Sequence, residues 1–195
     1  MIDLVDYGGG NTGSVRRCLG RLGLAHRVLD NPGALAASGN PILFPGVGSF
    51  GAVMEGLRQR ELDGPLAEAL RAGRPYFGIC VGLQALFDES EEAPGVGGLG
   101  VLPGRVRRFR SGKVPQIGWN RVEPAEGSGL DQGYAYFVNS YVAEPADPRV
   151  TSYRSDYFGP FCAGVRAEGI TAYQFHPEKS GRFGHDLVRR WADAV

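Results

Sequence analysis

Pro75-Tyr76-Phe77-Gly78-Ile79-Cys80-Val81-Gly82-Leu83-Gln84 is the stretch on which the fold turns. An apolar strand, Pro75–Ile79, runs into a cysteine with glycines two residues to either side, and the helix-forming residues Leu83–Phe87 follow at once. Strand, tight turn and helix in that order make the thiol version of a nucleophile elbow, in which glycine is needed because the backbones crowd. The start of the helix directs partial positive charge and free N–H groups at the sulfur, which favours thiolate over thiol. Cys80 is therefore expected to be a nucleophile.

The same alternation continues outward. Ile2–Asp6 reads as a strand, Gly8-Gly9-Gly10-Asn11 turns the chain, and Val15, Cys18, Leu19 and Leu22 then share one face of a helix. Ala25–Leu29 and Ile42–Phe44 repeat the strand signal, with helix-compatible segments between them. Strands spaced by helices imply an α/β fold: a mostly parallel central sheet with helices on both faces. From Gly95 onward Val101–Phe109, Gln116–Val122, Ala135–Val142 and Ile170–Phe175 are strand-like, so the C-terminal half adds β-strands. Glu89–Gly98 reads as a flexible connection. A last amphipathic helix carries Phe183, Leu187, Val188 and Trp191, with Ser180 as its expected N-cap.

Composition narrows the function. The 195 residues suit a single domain over 1–195, and 43% hydrophobic with 22% charged residues is ordinary globular usage. Lysine plus arginine equal aspartate plus glutamate at 21 each, so no global field favours nucleic acid or an anionic membrane. A small neutral substrate fits better. Met1–Asp6 carries acids and no basic leader, and no apolar run approaches the roughly 18–20 residues of a membrane span, so a cytoplasmic location is expected. Cys18, Cys80 and Cys162 form no CxxC pair, which argues against zinc or dithiol chemistry, and neither metal nor cofactor is expected.

A thiolate needs an acid/base, and the chain has three histidines. His26 falls in a strand and His185 in the last helix. His176 stands directly after an apolar strand in Gln174-Phe175-His176-Pro177-Glu178, and an extended backbone through Pro177 puts Glu178 on the same side to orient the imidazole. Alone, His-x-Glu is more often structural; beside the elbow it suggests a Cys80-His176-Glu178 triad. Cys18, on an apolar helix face, and Cys162, without a polar neighbour, default to structural thiols. Phe44-Pro45-Gly46-Val47-Gly48-Ser49-Phe50-Gly51 links a strand to a helix, and its glycines let backbone N–H groups turn toward a neighbouring oxyanion. A phosphate-cradling loop ranks below this, because the Walker ending and the full GxGxxG spacing are absent.

Gly78-Ile79-Cys80-Val81-Gly82-Leu83-Gln84 with His176-Pro177-Glu178 resembles the triad-type (class I) glutamine amidotransferases, whose glutaminase domains are flavodoxin-like. More narrowly, the chain resembles the glutaminase subunits of imidazole glycerol phosphate synthase. The likeness rests on Asp6-Tyr7-Gly8-Gly9-Gly10-Asn11, Pro45–Phe50, Pro115-Gln116-Ile117-Gly118-Trp119-Asn120, Tyr136-Phe137-Val138-Asn139-Ser140-Tyr141 and Gln174–Ser180, in family order from end to end. Two positions depart from it: the family commonly has His-Met at Gln116-Ile117 and frequently histidine at Asn139.

The resemblance implies hydrolysis of glutamine through a cysteinyl thioester on Cys80. Oxyanion donors would be the Val47 and Val81 N–H groups, and Gly48, Gln84, Ser140 and Tyr141 would line the glutamine pocket, with Glu92 a weaker candidate for the α-ammonium. It also implies a heterodimer with a separate (β/α)8 cyclase subunit, which receives ammonia through a channel and makes imidazole glycerol phosphate and aminoimidazole carboxamide ribonucleotide in histidine biosynthesis. Trp119, Asn120, Tyr136 and Lys179 are the expected interface, and for Trp119 a core aromatic is an equal alternative. Other readings stay open: the glutaminase of pyridoxal phosphate synthase, a non-catalytic module that only binds a partner, or a cysteine hydrolase acting on another amide.

Overall fold

The computed structural model describes residues 1–9 and 12–195, so the Gly10-Asn11 end of the first turn lies outside the described residues. The N-terminal half alternates: β1 (Ile2–Val5), α1 (Thr12–Arg21), β2 (His26–Leu29), α2 (Pro32–Ala36), β3 (Ile42–Gly46), α3 (Phe50–Gln59), α4 (Asp63–Arg71), β4 (Tyr76–Cys80) and α5 (Val81–Gln84). The remainder is β5 (Glu89–Ser90), β6 (Gly104–Arg108), β7 (Gln116–Pro124), β8 (Gly133–Asn139), β9 (Tyr141–Pro145), β10 (Thr151–Asp156), β11 (Pro160–Ala167), β12 (Ile170–Tyr173) and α6 (Gly181–Asp193).

Every residue of β1, β3 and β4 is buried, the pattern of parallel strands covered on both faces. Helices supply the cover through apolar faces at helical spacing: Val15, Cys18 and Leu19 on α1, Phe50, Val53, Met54 and Leu57 on α3, and Leu187, Val188 and Trp191 on α6. Among the described residues, one 12-stranded sheet runs in the order β2-β1-β3-β4-β12-β11-β10-β7-β8, with β5, β6 and β9 branching from β11. Its first five strands are mutually parallel, and from β12 onward the pairings are antiparallel. β4 lies between β3 and β12, so Cys80 emerges where the Gly46 and Tyr173 ends of its neighbours also finish. No helix among the described residues is long and apolar enough to cross a membrane.

Several elements differ from their sequence signatures. Leu83–Phe87 does not form a helix of its own: α5 is a single turn, Val81–Gln84, after which Leu86 and Phe87 make turn bonds to Leu83 and Gln84. The apolar run Ala135–Val142 is two strands broken at Ser140, because β8 pairs with β7 whereas β9 pairs with β6 and β11. Glu89–Gly98 is tied down rather than flexible. Its Ala93, Val96 and Gly98 N–H groups reach Ser90, Ala93 and Asp88 carbonyls, and Glu92 accepts the Phe50 N–H at 2.7 Å. β10 and β11 carry no clear strand signal, since buried Ser152, Ser155, Ala163 and Gly164 interrupt the apolar Tyr153, Phe161 and Val165, and consecutive positions are buried without alternation. Gly164 is required there: a Cβ would meet the Tyr173 ring at 2.7 Å.

Candidate active site

Cys80 ends β4 with φ +55° and ψ −111°, a conformation that an L residue holds only when its surroundings impose it. Close packing imposes it. A Cβ on Gly82 would overlap the Phe44 carbonyl, one on Gly46 would overlap the Gly82 N–H, and one on Gly78 would lie 2.8 Å from the Gly82 carbonyl and 2.9 Å from Ala172. Tyr76 closes the turn by donating its hydroxyl to the Gly82 carbonyl at 2.6 Å. Because α5 is one turn long, the polarity behind the sulfur comes from its few unpaired first N–H groups and not from a long aligned helix.

His176 follows β12 on the neighbouring strand, and its Nδ1 lies 3.0 Å from Glu178 Oε1, both side chains being almost fully buried. The backbone does not stay extended through Pro177, as the sequence reading assumed. Pro177–Lys179 is a single 3-10 turn, and this turn returns the carboxylate to the ring. Burial opposes a charge on the imidazole, but hydrogen bonds to Cys80 and Glu178 and their negative charges outweigh it, pushing His176 up to about 10. Helix α1 packs beside the 3-10 turn. Cys18 there is pushed up to about 11, first by burial and then by the Glu178 charge, and Cys162 is likewise raised to about 11, chiefly by burial. Both are buried thiols, and neither lines the cavity that opens at Cys80. His26 sits on the edge strand β2 and His185 on α6, neither of them at the cavity described next.

A cavity of about 230 Å³ opens at Cys80 and is lined by Gly48, Val81, Gln84, Glu92, Ser140 and Tyr141, together with Pro115, Val138 and Asn139. The tertiary fold thus gathers all the expected pocket residues from four separate parts of the chain. A larger cavity of about 540 Å³, between β12 and α6 near Arg166 and Trp191, holds none of the triad residues. Two buried glutamines shape the smaller one. Gln84 donates to the Tyr141 carbonyl at 3.2 Å and to Gln174 Oε1 at 2.9 Å, and Gln174 in turn points its amide at the Cys80 sulfur, 3.7 Å away. Gln174 was not assigned a role from sequence. Its signal was a fully buried amide inside the apolar run Ala172–Phe175.

The expected oxyanion donors are placed differently from each other. Val81 N–H belongs to the first residue of α5, where no intrahelical acceptor exists. Val47 N–H is already engaged, donating to the Tyr7 hydroxyl at 3.1 Å. Ser180 stands at the N-cap of α6, as expected, but its side chain makes no capping bond. Its hydroxyl donates to the His176 carbonyl at 2.6 Å and accepts the Tyr136 N–H at 2.9 Å, while the Tyr136 carbonyl accepts the His176 N–H at 2.9 Å. β8 therefore grips the backbone of His176 at both ends.

Trp119 is 57% exposed and is not a core residue. It meets Tyr136 edge-on at 6.1 Å across the β7–β8 ribbon, where Ile117 faces Val138 and Arg121 faces Tyr134 in register. Ile117, Trp119, Tyr134 and Val138 are all exposed, a contiguous apolar surface of the kind that marks an interaction site. Lys179 is exposed, whereas Asn120 is partly buried and spends its amide on the Asp156 carbonyl. The sequence reading had not included Ile117, Tyr134 or Val138, because their common face is set only by the β7–β8 register.

Comparison with known proteins agrees with this arrangement. The family model described as glutamine amidotransferase class-I matches residues 3–194. The imidazole glycerol phosphate synthase subunit HisH of Methanothermobacter thermautotrophicus is 42% identical, with 100% of this chain and 99% of the relative covered. That of Deinococcus radiodurans is 47% identical over 95% of this chain and 89% of the relative. In fold, a solved glutamine amidotransferase superposes with a TM-score of 0.79 at 21% identity, covering 98% of both chains. The PurLQS structure from Thermotoga maritima gives 0.75 at 18%, covering 99% of this chain and 97% of that one. With a family model spanning it almost end to end and relatives above two-fifths identity along its length, the chain belongs to the class-I glutamine amidotransferases, in the family of the imidazole glycerol phosphate synthase subunit HisH.

Proposed function

We propose that the chain hydrolyses glutamine to glutamate and ammonia through a thioester on Cys80, and passes the ammonia to a (β/α)8 cyclase subunit that makes imidazole glycerol phosphate and aminoimidazole carboxamide ribonucleotide in histidine biosynthesis. The observation that carries this reading is the placing of buried His176, held by Glu178, beside Cys80, which itself opens into a cavity lined by Gly48, Gln84, Glu92, Ser140 and Tyr141.

The amide of glutamine is resonance-stabilised, so its cleavage needs a strong nucleophile, a place for the oxyanion charge and a proton for the leaving nitrogen. Cys80 attacks the side-chain carbonyl carbon. Val81 N–H, and Val47 N–H once it is free of Tyr7, hold the oxygen. The His176 imidazolium, kept charged by its buried partners, gives its proton to the departing ammonia. Neutral His176 then takes a proton from water, which attacks the thioester and releases glutamate. Glu178 holds the imidazole by Nδ1 and never needs to leave it. Gln174 steadies the sulfur and Gln84 together.

The apolar face of Ile117, Trp119, Tyr134 and Val138, with Tyr136, Asn120 and Lys179 beside it, is the surface for the cyclase. Free ammonia protonates in water, so delivery into a docked acceptor is what keeps it reactive. The test is glutamate release by the chain alone and with the cyclase and its nucleotide. Cys80→Ala should abolish it with the fold intact, and Cys18→Ser and Cys162→Ser should keep it. Activity surviving in Cys80→Ala, or lost equally in a folded Cys18 variant, would overturn the assignment.

A further inference from the structure

The cavity of about 540 Å³ between β12 and α6 has no part in the chemistry just described, and it shares no lining residue with the cavity at Cys80. Its walls are core side chains: Ile170 of β12, Leu187 and Trp191 of α6, and Tyr173, all buried. The aromatic walls are fixed from behind. Phe77 meets Tyr173 edge-on at 5.4 Å and Trp191 at 5.1 Å, and Phe175 stacks on Tyr173 at 4.9 Å. A space of this size, with apolar walls already in place, suits a small organic molecule.

One polar group in this lining serves nothing in the fold. Tyr76, Tyr153 and Tyr173 are all fully buried, Tyr173 at 2% exposure. The Tyr76 hydroxyl donates to the Gly82 carbonyl at 2.6 Å and that of Tyr153 to the Asp131 carbonyl at 2.8 Å, but the Tyr173 hydroxyl has no hydrogen-bond partner among the described residues. A buried hydroxyl without a partner is costly, and phenylalanine would fill the same space without that cost. Burial raises the pKa of this hydroxyl, the neighbouring Tyr153 adds to the rise, and the Arg166 and Arg190 charges oppose it. It is therefore a neutral donor at working pH. Arg166 and Arg190, near enough for their charges to act on the oxygen, line the same cavity, which places the hydroxyl at its wall.

The two guanidiniums supply positive charge. Arg166 gives one N–H to the Ser128 carbonyl at 3.3 Å and pairs with no carboxylate among the described residues. Arg190 meets Asp131 at 2.5 Å, but both side chains are more than half exposed, and an ion pair in water is weak enough to be exchanged. A carboxylate entering the cavity would take charge-assisted bonds from the guanidinium forks and the proton of Tyr173, while its body lies against Trp191, Ile170 and Leu187. We propose that this cavity is a second ligand site, for a small carboxylate with an aromatic or branched apolar body, recognised by Tyr173, Arg166 and Arg190. The site does not depend on what Cys80 acts on. Its occupant would rest on the strand that leads into Gln174, whose amide points at the Cys80 sulfur, and into His176.

The chain has two tryptophans, so in a Trp119→Phe variant the emission of Trp191 alone reports on the cavity. Titration with phenylacetate should change that emission saturably, and calorimetry on the native chain should return the same Kd. Phenylacetamide, of the same shape but without charge, should bind at least roughly tenfold more weakly. Tyr173→Phe removes only a hydroxyl that holds nothing in the fold, so the variant should keep the native urea midpoint while its Kd for phenylacetate rises by roughly tenfold or more. Arg166→Gln should raise Kd by a similar factor, and Arg16→Gln, an equal loss of charge on the exposed side of α1, should leave it unchanged. No saturable binding, equal Kd for phenylacetate and phenylacetamide, or a native Kd in both Tyr173→Phe and Arg166→Gln overturns the site. Phenyl phosphate binding more than roughly tenfold tighter than phenylacetate overturns the carboxylate as its ligand.

Discussion

Glu178→Gln separates what the carboxylate does by charge from what it does by shape. The carboxamide still offers an oxygen to His176 Nδ1, now 3.0 Å from Glu178 Oε1 between side chains only 5% and 4% exposed. Opposite unit charges at that separation attract by about 5 kcal/mol at an effective dielectric of 20. The neutral hydrogen bond that remains returns about 1 kcal/mol, so the imidazolium is destabilised by about 4 kcal/mol, which lowers its titration by about 3 pH units. His176, pushed up to about 10 in the native chain by Cys80 as well as Glu178, should then titrate lower by that amount, with the part of the rise due to Cys80 retained. The alkaline limb of kcat/KM should move down with it, so that the deficit is under about tenfold at pH 6.5 and grows to about a hundredfold by pH 9. Stability should follow the same group. A raised folded-state value gives a contribution that is full below pH 6.5 and is lost as pH rises through about 10. Native and variant should therefore differ most in urea midpoint near pH 6 and converge toward pH 10. Glutamate release measured from pH 6 to 10 on the stimulated complex decides the matter. A uniform loss with an unmoved alkaline limb would mean that Glu178 acts by geometry alone.

Two other perturbations address the supports around the triad. Ser180→Ala removes the hydroxyl between the His176 carbonyl and the Tyr136 N–H and strands a buried donor, so about 1–3 kcal/mol of stability should go, and kcat should fall while KM holds. Unchanged urea midpoint and kcat would show that the tether is idle. Trp119→Ala deletes the largest exposed side chain of the apolar β7–β8 face and should weaken cyclase binding by about 2 kcal/mol, roughly 30-fold in Kd by titration calorimetry, with basal glutaminase activity unaltered. A native Kd would move the interface elsewhere.

The amino-acid sequence by itself determined the parallel half of the fold and singled out Cys80, His176 and Glu178 as the proposed triad. β1, β3 and β4 are short apolar runs whose burial on both faces follows from composition, and Cys80 between Gly78 and Gly82 marks a turn that few other residues permit. Such features are local: a few neighbouring residues carry the whole physical constraint. What only the tertiary structure decided involves partners far apart in the chain. β10 and β11 mix buried serine, alanine and glycine with Tyr153, Phe161 and Val165 in no regular alternation, and gain their strand character from pairing rather than pattern. The return of Glu178 to His176 depends on a 3-10 turn held against α1 and β8, whereas an extended chain had been the simplest reading. Exposure of Trp119 beside Ile117 and Val138 is a matter of β7–β8 register, since a one-residue slip would exchange the two faces. The Tyr7–Val47 pair joins residues 40 positions apart, and no pattern in either segment announces it. A hydrogen bond has no periodicity, so only the folded chain reveals which donor has been taken and by what.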